Sequence, residues 1–212
     1  MTSPDARERI LLAGERLIAE RGVEVPLREV AAAAGQRNNS AVHYHFGSRD
    51  GLIQAILDRR QTSLEARQLA LLAEHEDSGG DDDPASLVEI MVRPMLEIPY
   101  ADGSTHYARF LEQVRPHRVI VRAQLSVERW PAIRIVMTRL HRALAPMPDP
   151  LRRRRITAMA TAMFALLADH ERADAGEAAG ADRSGADDLV AMLVGMLTAP
   201  SPATTGSDLP KH

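Results

Sequence analysis

The chain contains no cysteine, a single lysine at position 211, and aromatic residues at only 3%. Without cysteine there is no disulfide framework, no thiolate nucleophile and no cysteine-based zinc site, although histidines and carboxylates can still hold a metal. The aromatic content is low for a β-sandwich, whose strands favour such side chains. No apolar run approaches the roughly 20 residues that cross a bilayer. The opening stretch MTSPDARERI is charged and is followed by no apolar run of the kind a secretory signal carries. These absences lead to the expectation of a soluble cytoplasmic protein with no membrane partner. An excess of charge of one sign is also missing: 26 basic against 29 acidic side chains leave a formal charge of −3. That balance excludes a protein that coats nucleic acid by charge alone, so any such contact must be local.

What the 212 residues do contain is 45% hydrophobic side chains, enough for one or two modest cores, and an abundance of alanine, leucine and arginine. These are good helix formers, and an all-α fold is the expectation. Because arginine replaces lysine almost everywhere, the positive groups are forks suited to phosphate.

Apolar positions repeat at helical spacing along most of the chain. Ile10, Leu11, Gly14, Leu17 and Ile18 mark a helix over 4–21, opened by Pro4 or an Asp5/Glu8 cap and closed at Gly22. Leu27, Val30, Ala31 and Ala34 mark a short helix ending at Gly35, and residues 41–46 have room for one more. Ser48 can cap a long helix to about Glu76. The acidic stretch 74–84 reads as a mobile loop, with Asp83-Pro84 opening the next helix, which Pro94 should bend. Further helices follow over 104–114, 131–144, 150–172 and 187–198, while 117–129 is ambiguous by period. The stretch 173–188 reads as a loop, and the Pro/Ser/Thr/Gly tail 199–212 as disordered. The expected organisation is therefore an N-terminal helix-turn-helix unit over 1–50, a larger helical domain over 51–198, and the tail.

Two short helices joined by a tight glycine turn have the dimensions of a helix-turn-helix, whose second helix enters a major groove about 12 Å wide. Asn38, Asn39 and Ser40 sit at the start of that second helix, where short polar side chains reach base edges. Arg37 stands just before them; asparagine pairs bidentately with adenine and arginine with guanine. Arg28, His43, Tyr44 and Arg49 are candidates for the phosphate backbone, together with the helix N-terminus after Ser48.

The block LREVAAAAGQRNNSAVHYHFGSRDGLIQAIL resembles the DNA-binding domain of the TetR family of transcriptional regulators over roughly residues 5 to 60. The features that carry the resemblance are Ala34-Gly35, Tyr44-His45-Phe46, Gly47-Ser48, Arg49, Asp50 and the pair Leu52-Ile53. The chain departs from that pattern in a turn one residue longer and in His43, which stands where the family carries a phosphate-binding tyrosine, with Tyr44 beside it. Either can be the backbone contact. The resemblance implies an all-helical homodimer that binds an operator of double-stranded DNA and whose C-terminal domain takes a small-molecule effector. It also implies that the last two helices pair across the two-fold axis, which assigns Ile156, Met159, Met163, Leu167, Leu189, Leu193, Met196 and Leu197 to the dimer interface. Met91, Met95, Tyr107, Phe110, Trp130, Met137 and Met163 are large apolar side chains on the helices that would wall an effector pocket, suiting an apolar or aromatic ligand. Tyr100, Tyr107, His106 or Arg109 could orient a polar group of it.

Other constellations read as structural. His43 and His45, two apart on a helix, point about 200° away from each other and cannot share an ion. Arg152 to Arg155 should fan into solvent or onto carboxylates. The acidic loop lacks the spacing and closing glutamate of a calcium loop. No metal, no cofactor and no catalytic arrangement is expected, since nucleophile elbow, phosphate-cradling glycine loop and His-Glu-x-x-His pair are all missing. The reading is a dimeric, ligand-responsive repressor that binds a pseudo-palindromic operator. The alternatives are a helical effector-binding or interaction protein that no longer reads DNA, which operator binding would eliminate, and an enzyme, which ligand turnover would support.

Overall fold

The computed structural model describes residues 5–38, 40–97, 106–117, 130–176 and 183–200, and among them there are helices and no strands. The helices are α1 (Ala6–Arg21), α2 (Leu27–Ala33), α3 (Ala41–Phe46), α4 (Arg49–Asp77), α5 (Pro84–Glu97), α6 (Tyr107–Val114), α7 (Pro131–Ala143), α8 (Asp149–Gly176) and α9 (Arg183–Thr198). The fold is all-α, as expected. The ambiguous stretch 117–129 falls, except for His117, outside the described residues, as do Tyr100 and the tail beyond 200.

Local signals account for the element starts. The Asp5 side chain accepts from the Glu8 N–H at 2.7 Å and opens α1. Ser48 accepts from Gly51 N–H at 3.1 Å and opens α4. Asp83 accepts from the N–H groups of Ala85 and Ser86 and from the Ser86 hydroxyl at the head of α5. Those donors hold its carboxyl below the usual carboxylate range. Two expectations need correction. The stretch 173–188 is not one loop: α8 runs on to Gly176 and α9 begins at Arg183, because alanines continue a helix readily. The acidic stretch 74–84 is not all loop either: it is helical through Asp77, and Arg139 on α7 pairs with Glu76 and Asp82. Pro94 lies within α5, which is unbroken in assignment from Pro84 to Glu97.

The buried apolar side chains form two clusters. The first joins α1, α2, α3, the first half of α4 through Leu64, and Tyr107, Phe110, Leu111 and Val114 of α6. The second joins Leu72 at the far end of α4 with α5, α7, α8 and α9. Met95 and Phe164 touch both. The packing therefore does not divide at residue 50: α4 passes through both clusters, and α6, late in sequence, completes the core of the N-terminal unit.

Polar contacts hold this arrangement at its centre. Arg60 on α4 donates to both carboxylate oxygens of Glu15 on α1, at 3.0 and 3.1 Å, with both side chains buried. The Arg60 guanidinium also lies 5.6 Å from the centre of the Tyr107 ring on α6. Burial raises the Tyr107 phenol well above its ordinary value. Helix α6 has no cap of its own at His106; the Glu171 carboxylate of α8 accepts instead from the N–H groups of Ala108 and Arg109, each at 3.0 Å. Helix α7 is capped in the same way, with Glu65 Oε1 of α4 accepting from Ala132 N–H at 2.6 Å. Two helices are thus started by carboxylates far away in sequence.

Burial, only partly offset by Arg60, pushes the Glu15 carboxyl up to about 7. A folded-state value above the unfolded one means that the folded chain binds the proton more tightly. The contribution of Glu15 to stability is therefore fully present below about pH 4.5 and is lost as pH rises through 7. Urea titrations of wild type and Glu15→Gln between pH 4 and 8, about the span of that titration, should show the wild type losing stability relative to the variant as pH rises. A flat difference would contradict the linkage.

Candidate nucleic-acid interface

The turn between α2 and α3 is built by Gly35. Its φ of 69° lies in the left-handed region, and the bonds from Gln36 N–H to Ala31 O and from Gly35 N–H to Ala32 O, each 2.9 Å, close the end of α2. The following residues are fixed by Asn38, whose Oδ1 accepts from Ser40 N–H at 2.9 Å. Helix α3 then presses Ala41 and Val42 into the first cluster. Small apolar residues on its inner side let it lie close against α2. At its far end Gly51 is needed for close approach, because a Cβ there would stand 2.0 Å from the Phe46 carbonyl oxygen. The short helix is seated on one side and open on the other.

Most of the residues expected from sequence lie at the surface. Arg28, Arg37, Asn38, Ser40, His43 and Tyr44 are all exposed, while Asn39 lies outside the described residues. His43 Nδ1 lies 3.1 Å from the Gly47 carbonyl oxygen, so its ring is partly occupied with the end of its own helix. Tyr44 is 84% exposed and makes only an edge contact with the His45 ring at 5.0 Å. A tyrosine this open has no packing role within the subunit. His45 is half-buried, with its ring against those of Tyr44 and Phe46.

Arg49 is placed differently from the expectation. Its guanidinium turns inward and donates through Nη1 to the Val23 and Val25 carbonyl oxygens, the latter at 2.7 Å. It braces the loop between α1 and α2 instead of facing outward toward a phosphate. Sequence reasoning also missed Arg7, which is exposed and stands 5.2 Å from the Phe46 ring centre. Its position in the first turn of α1 gave no sign of this, because Phe46 lies well beyond it along the chain and only the fold brings the two together.

The effector-side residues are divided between the two clusters rather than gathered round one space. Tyr107 and Phe110 are stacked at 6.1 Å in the first, Met91 and Met163 are buried in the second, and Met95 touches both. Met137 and Trp130 are half-buried. Of the proposed orienting groups, Arg109 is engaged with His106 at 2.7 Å and with Glu171 at 3.5 Å. The interface assignment needs a larger correction. Ile156, Met159, Met163, Leu167, Leu189, Leu193 and Leu197 are all buried inside the subunit, where α8 and α9 pack on each other and on α5. Of that set only Met196 is exposed, and Met192 joins it. The arginine run meets its expectation in part: Arg152 and Arg153 reach the Asp149 carboxylate, whereas Arg155 donates to the Leu197 carbonyl oxygen of α9 at 2.8 Å. Among the described residues no group of side chains could hold a metal ion, and no helix is long and apolar enough to cross a membrane.

Comparison with known proteins gives two family matches. Residues 10–56 match the bacterial regulatory proteins of the tetR family. Residues 89–199 match the tetracyclin repressor-like C-terminal domain. A solved structure assigned to the TetR-family transcriptional regulators, from Rhodococcus sp., covers 90% of this chain and 95% of its own, with a TM-score of 0.50 and 19% identity. The multidrug binding protein EbrR, solved with imidazole, aligns over 95% of this chain and 94% of its own at 25% identity, with a TM-score of 0.29. No curated protein matches the chain.

The inward turn of Arg49 makes a specific expectation. Arg49→Ala should lower stability by about 1 to 3 kcal/mol, as carbonyls of the α1–α2 loop lose their donor, and should leave the salt dependence of DNA affinity unchanged. Thermal melts combined with affinity measured against salt check this; an unaltered melt with a reduced salt slope would return the residue to the phosphate backbone.

Proposed function

Given that the chain belongs to the TetR family of bacterial regulatory proteins, which are ligand-responsive DNA-binding regulators, we propose that it acts in the cytoplasm as a dimeric repressor. It binds a pseudo-palindromic operator and is released by a small apolar or aromatic effector. The observation that carries this reading is the two-sided character of α3, seated by Ala41 and Val42 and open through Asn38, Ser40, His43 and Tyr44. Asn39 and Arg37 are the base readers, Asn38 shapes the turn beneath them through its bond from Ser40 N–H, and Tyr44, Arg28 and Arg7 hold phosphates. Tyr44 takes the backbone role in preference to His43 because its hydroxyl is open while the His43 ring is turned to Gly47. Two reading heads must be spaced near one turn of DNA or a multiple, so an effector that changes their separation changes affinity.

Incubation with genomic fragments at about 150 mM salt, where non-specific binding is weak, followed by footprinting, tests the function. A protected inverted repeat is expected; the absence of any enriched sequence from effector-free protein would refute it. On that fragment Asn39→Ala should cost about 1 to 3 kcal/mol at particular base pairs. Arg28→Ala should weaken all sequences alike and reduce the salt slope by about one per subunit.

The dimer forms through the outer faces of the last two helices. Asp188, Ala191, Met192, Gly195 and Met196 are exposed along one side of α9, and Thr157, Ala158, Thr161 and Ala165 along α8. Small residues let helices approach closely, and the two methionines supply the apolar contact. Met192→Glu should therefore give a folded monomer in sedimentation, since Leu189 and Leu193 keep α9 anchored within the subunit. A dimer of unchanged stability would place the interface elsewhere.

A further inference from the structure

Helix α4 carries two buried oxygen atoms that have no hydrogen-bond partner among the described residues. Gln68 is 2% exposed and its Oε1 has no hydrogen-bond partner. Glu65, three residues earlier and therefore a neighbour on the same face, spends Oε1 on Ala132 N–H, while its Oε2 is buried and unpaired. An unsatisfied buried acceptor costs free energy, and a carboxylate oxygen shut away from water without a cation costs more. The arginines of α4 nearest to the pair are engaged elsewhere, Arg67 with Glu74 and Glu97 and Arg60 with both carboxylate oxygens of Glu15. The pair also lies where the core is divided: Gln68 is one turn beyond Leu64 of the first apolar cluster and one turn before Leu72 of the second. Met95, which packs against both clusters, supplies an adaptable apolar wall at the same junction.

Resting on the reading of this bundle as the effector-binding half, we propose that Glu65 and Gln68 form the polar end of the effector site and that the effector is an amphipathic cation, an apolar body bearing a protonated amine. The sign follows from Glu65. Turning the Gln68 amide about its bond would offer a donor instead of an acceptor, but a carboxylate oxygen only accepts. An ammonium group with three donors can serve both residues at once, whereas a carboxylate ligand would be repelled and a neutral apolar one would leave both acceptors unpaired. Occupation also has a mechanical consequence, since Glu65 caps α7 and shares α4 with Arg60. A ligand drawn to Oε2 acts on the same helix that holds the N-terminal unit through Glu15.

The test uses three small molecules with one apolar body, phenethylamine, phenethyl alcohol and hydrocinnamate, titrated into the effector-free full-length protein by ligand-observed NMR and calorimetry. The amine should bind roughly tenfold more tightly than the alcohol, which corresponds to about 1.4 kcal/mol, and hydrocinnamate should bind least. Glu65→Gln keeps an oxygen for the Ala132 cap and removes the charge, so it should abolish the preference for the amine while leaving the alcohol unaffected. Gln68→Met removes an unsatisfied acceptor; it should raise the melting temperature of the free protein and weaken amine binding, a pair of effects that a purely structural glutamine would not produce. An amine preference that survives Glu65→Gln overturns the proposal. So does hydrocinnamate binding as tightly as the amine, or no saturable amine binding up to about 10 mM, beyond the weakest affinities of specific small ligands. Operator footprinting of the effector-free protein is independent of all three ligands, so failure here leaves the regulator reading standing, and failure there does not imitate failure here.

Discussion

The rest of the structure is positioned by one buried contact, the paired hydrogen bonds from Arg60 to Glu15. It joins α1 to α4 inside an apolar cluster, where both partners are stranded from water, so each needs the other and the two helices have one relative position that satisfies them. Tyr107 lies over the same guanidinium and brings α6 into register with that pair. Glu171 of α8 then holds the N-terminus of α6. Through these contacts the bundle is joined side chain to side chain with α1, which packs in turn on α2.

The reading head follows from the same economy. Helix α3 is too short to be stable alone, and it persists because Ala41 and Val42 are buried and because the turn at Gly35 is closed by its own backbone. Small side chains underneath leave the upper side free for polar ones. Arg49, which by charge and position belongs with the phosphate contacts, is consumed in holding the α1–α2 loop. Rigidity of the head and the number of cations it can present are thus in competition at that residue.

Much of this was legible in the sequence, and the pattern of success has a physical cause. Asp5, Ser48 and Asp83 were readable as caps because a cap acts within one turn of chain. The helix-turn-helix was readable from the spacing of Leu27, Val30, Ala31 and Gly35 and from the family block around Tyr44-His45-Phe46. The interface residues were misjudged because apolar positions on α8 and α9 announce burial without saying whether a neighbour in the same subunit or in another copy covers them. Here the neighbours are α5 and each other, and only Met192 and Met196 are left as large apolar groups outside. The acidic loop looked mobile because the arginine that ties it down, Arg139, lies on another helix.

The sequence by itself determined the all-α class, the start of most helices, the short pair of helices that reads DNA and the family to which the chain belongs. All of these rest on interactions between residues within a turn or two of each other, whose partners are visible side by side. The tertiary structure alone decided which carboxylates start α6 and α7, which arginine is buried against which glutamate, which side of α8 and α9 is left outside, and that Glu65 and Gln68 each keep an oxygen without a partner among the described residues. These depend on groups brought together from opposite ends of the chain, and no local rule of spacing records which pairs the packing of two apolar clusters will bring into contact.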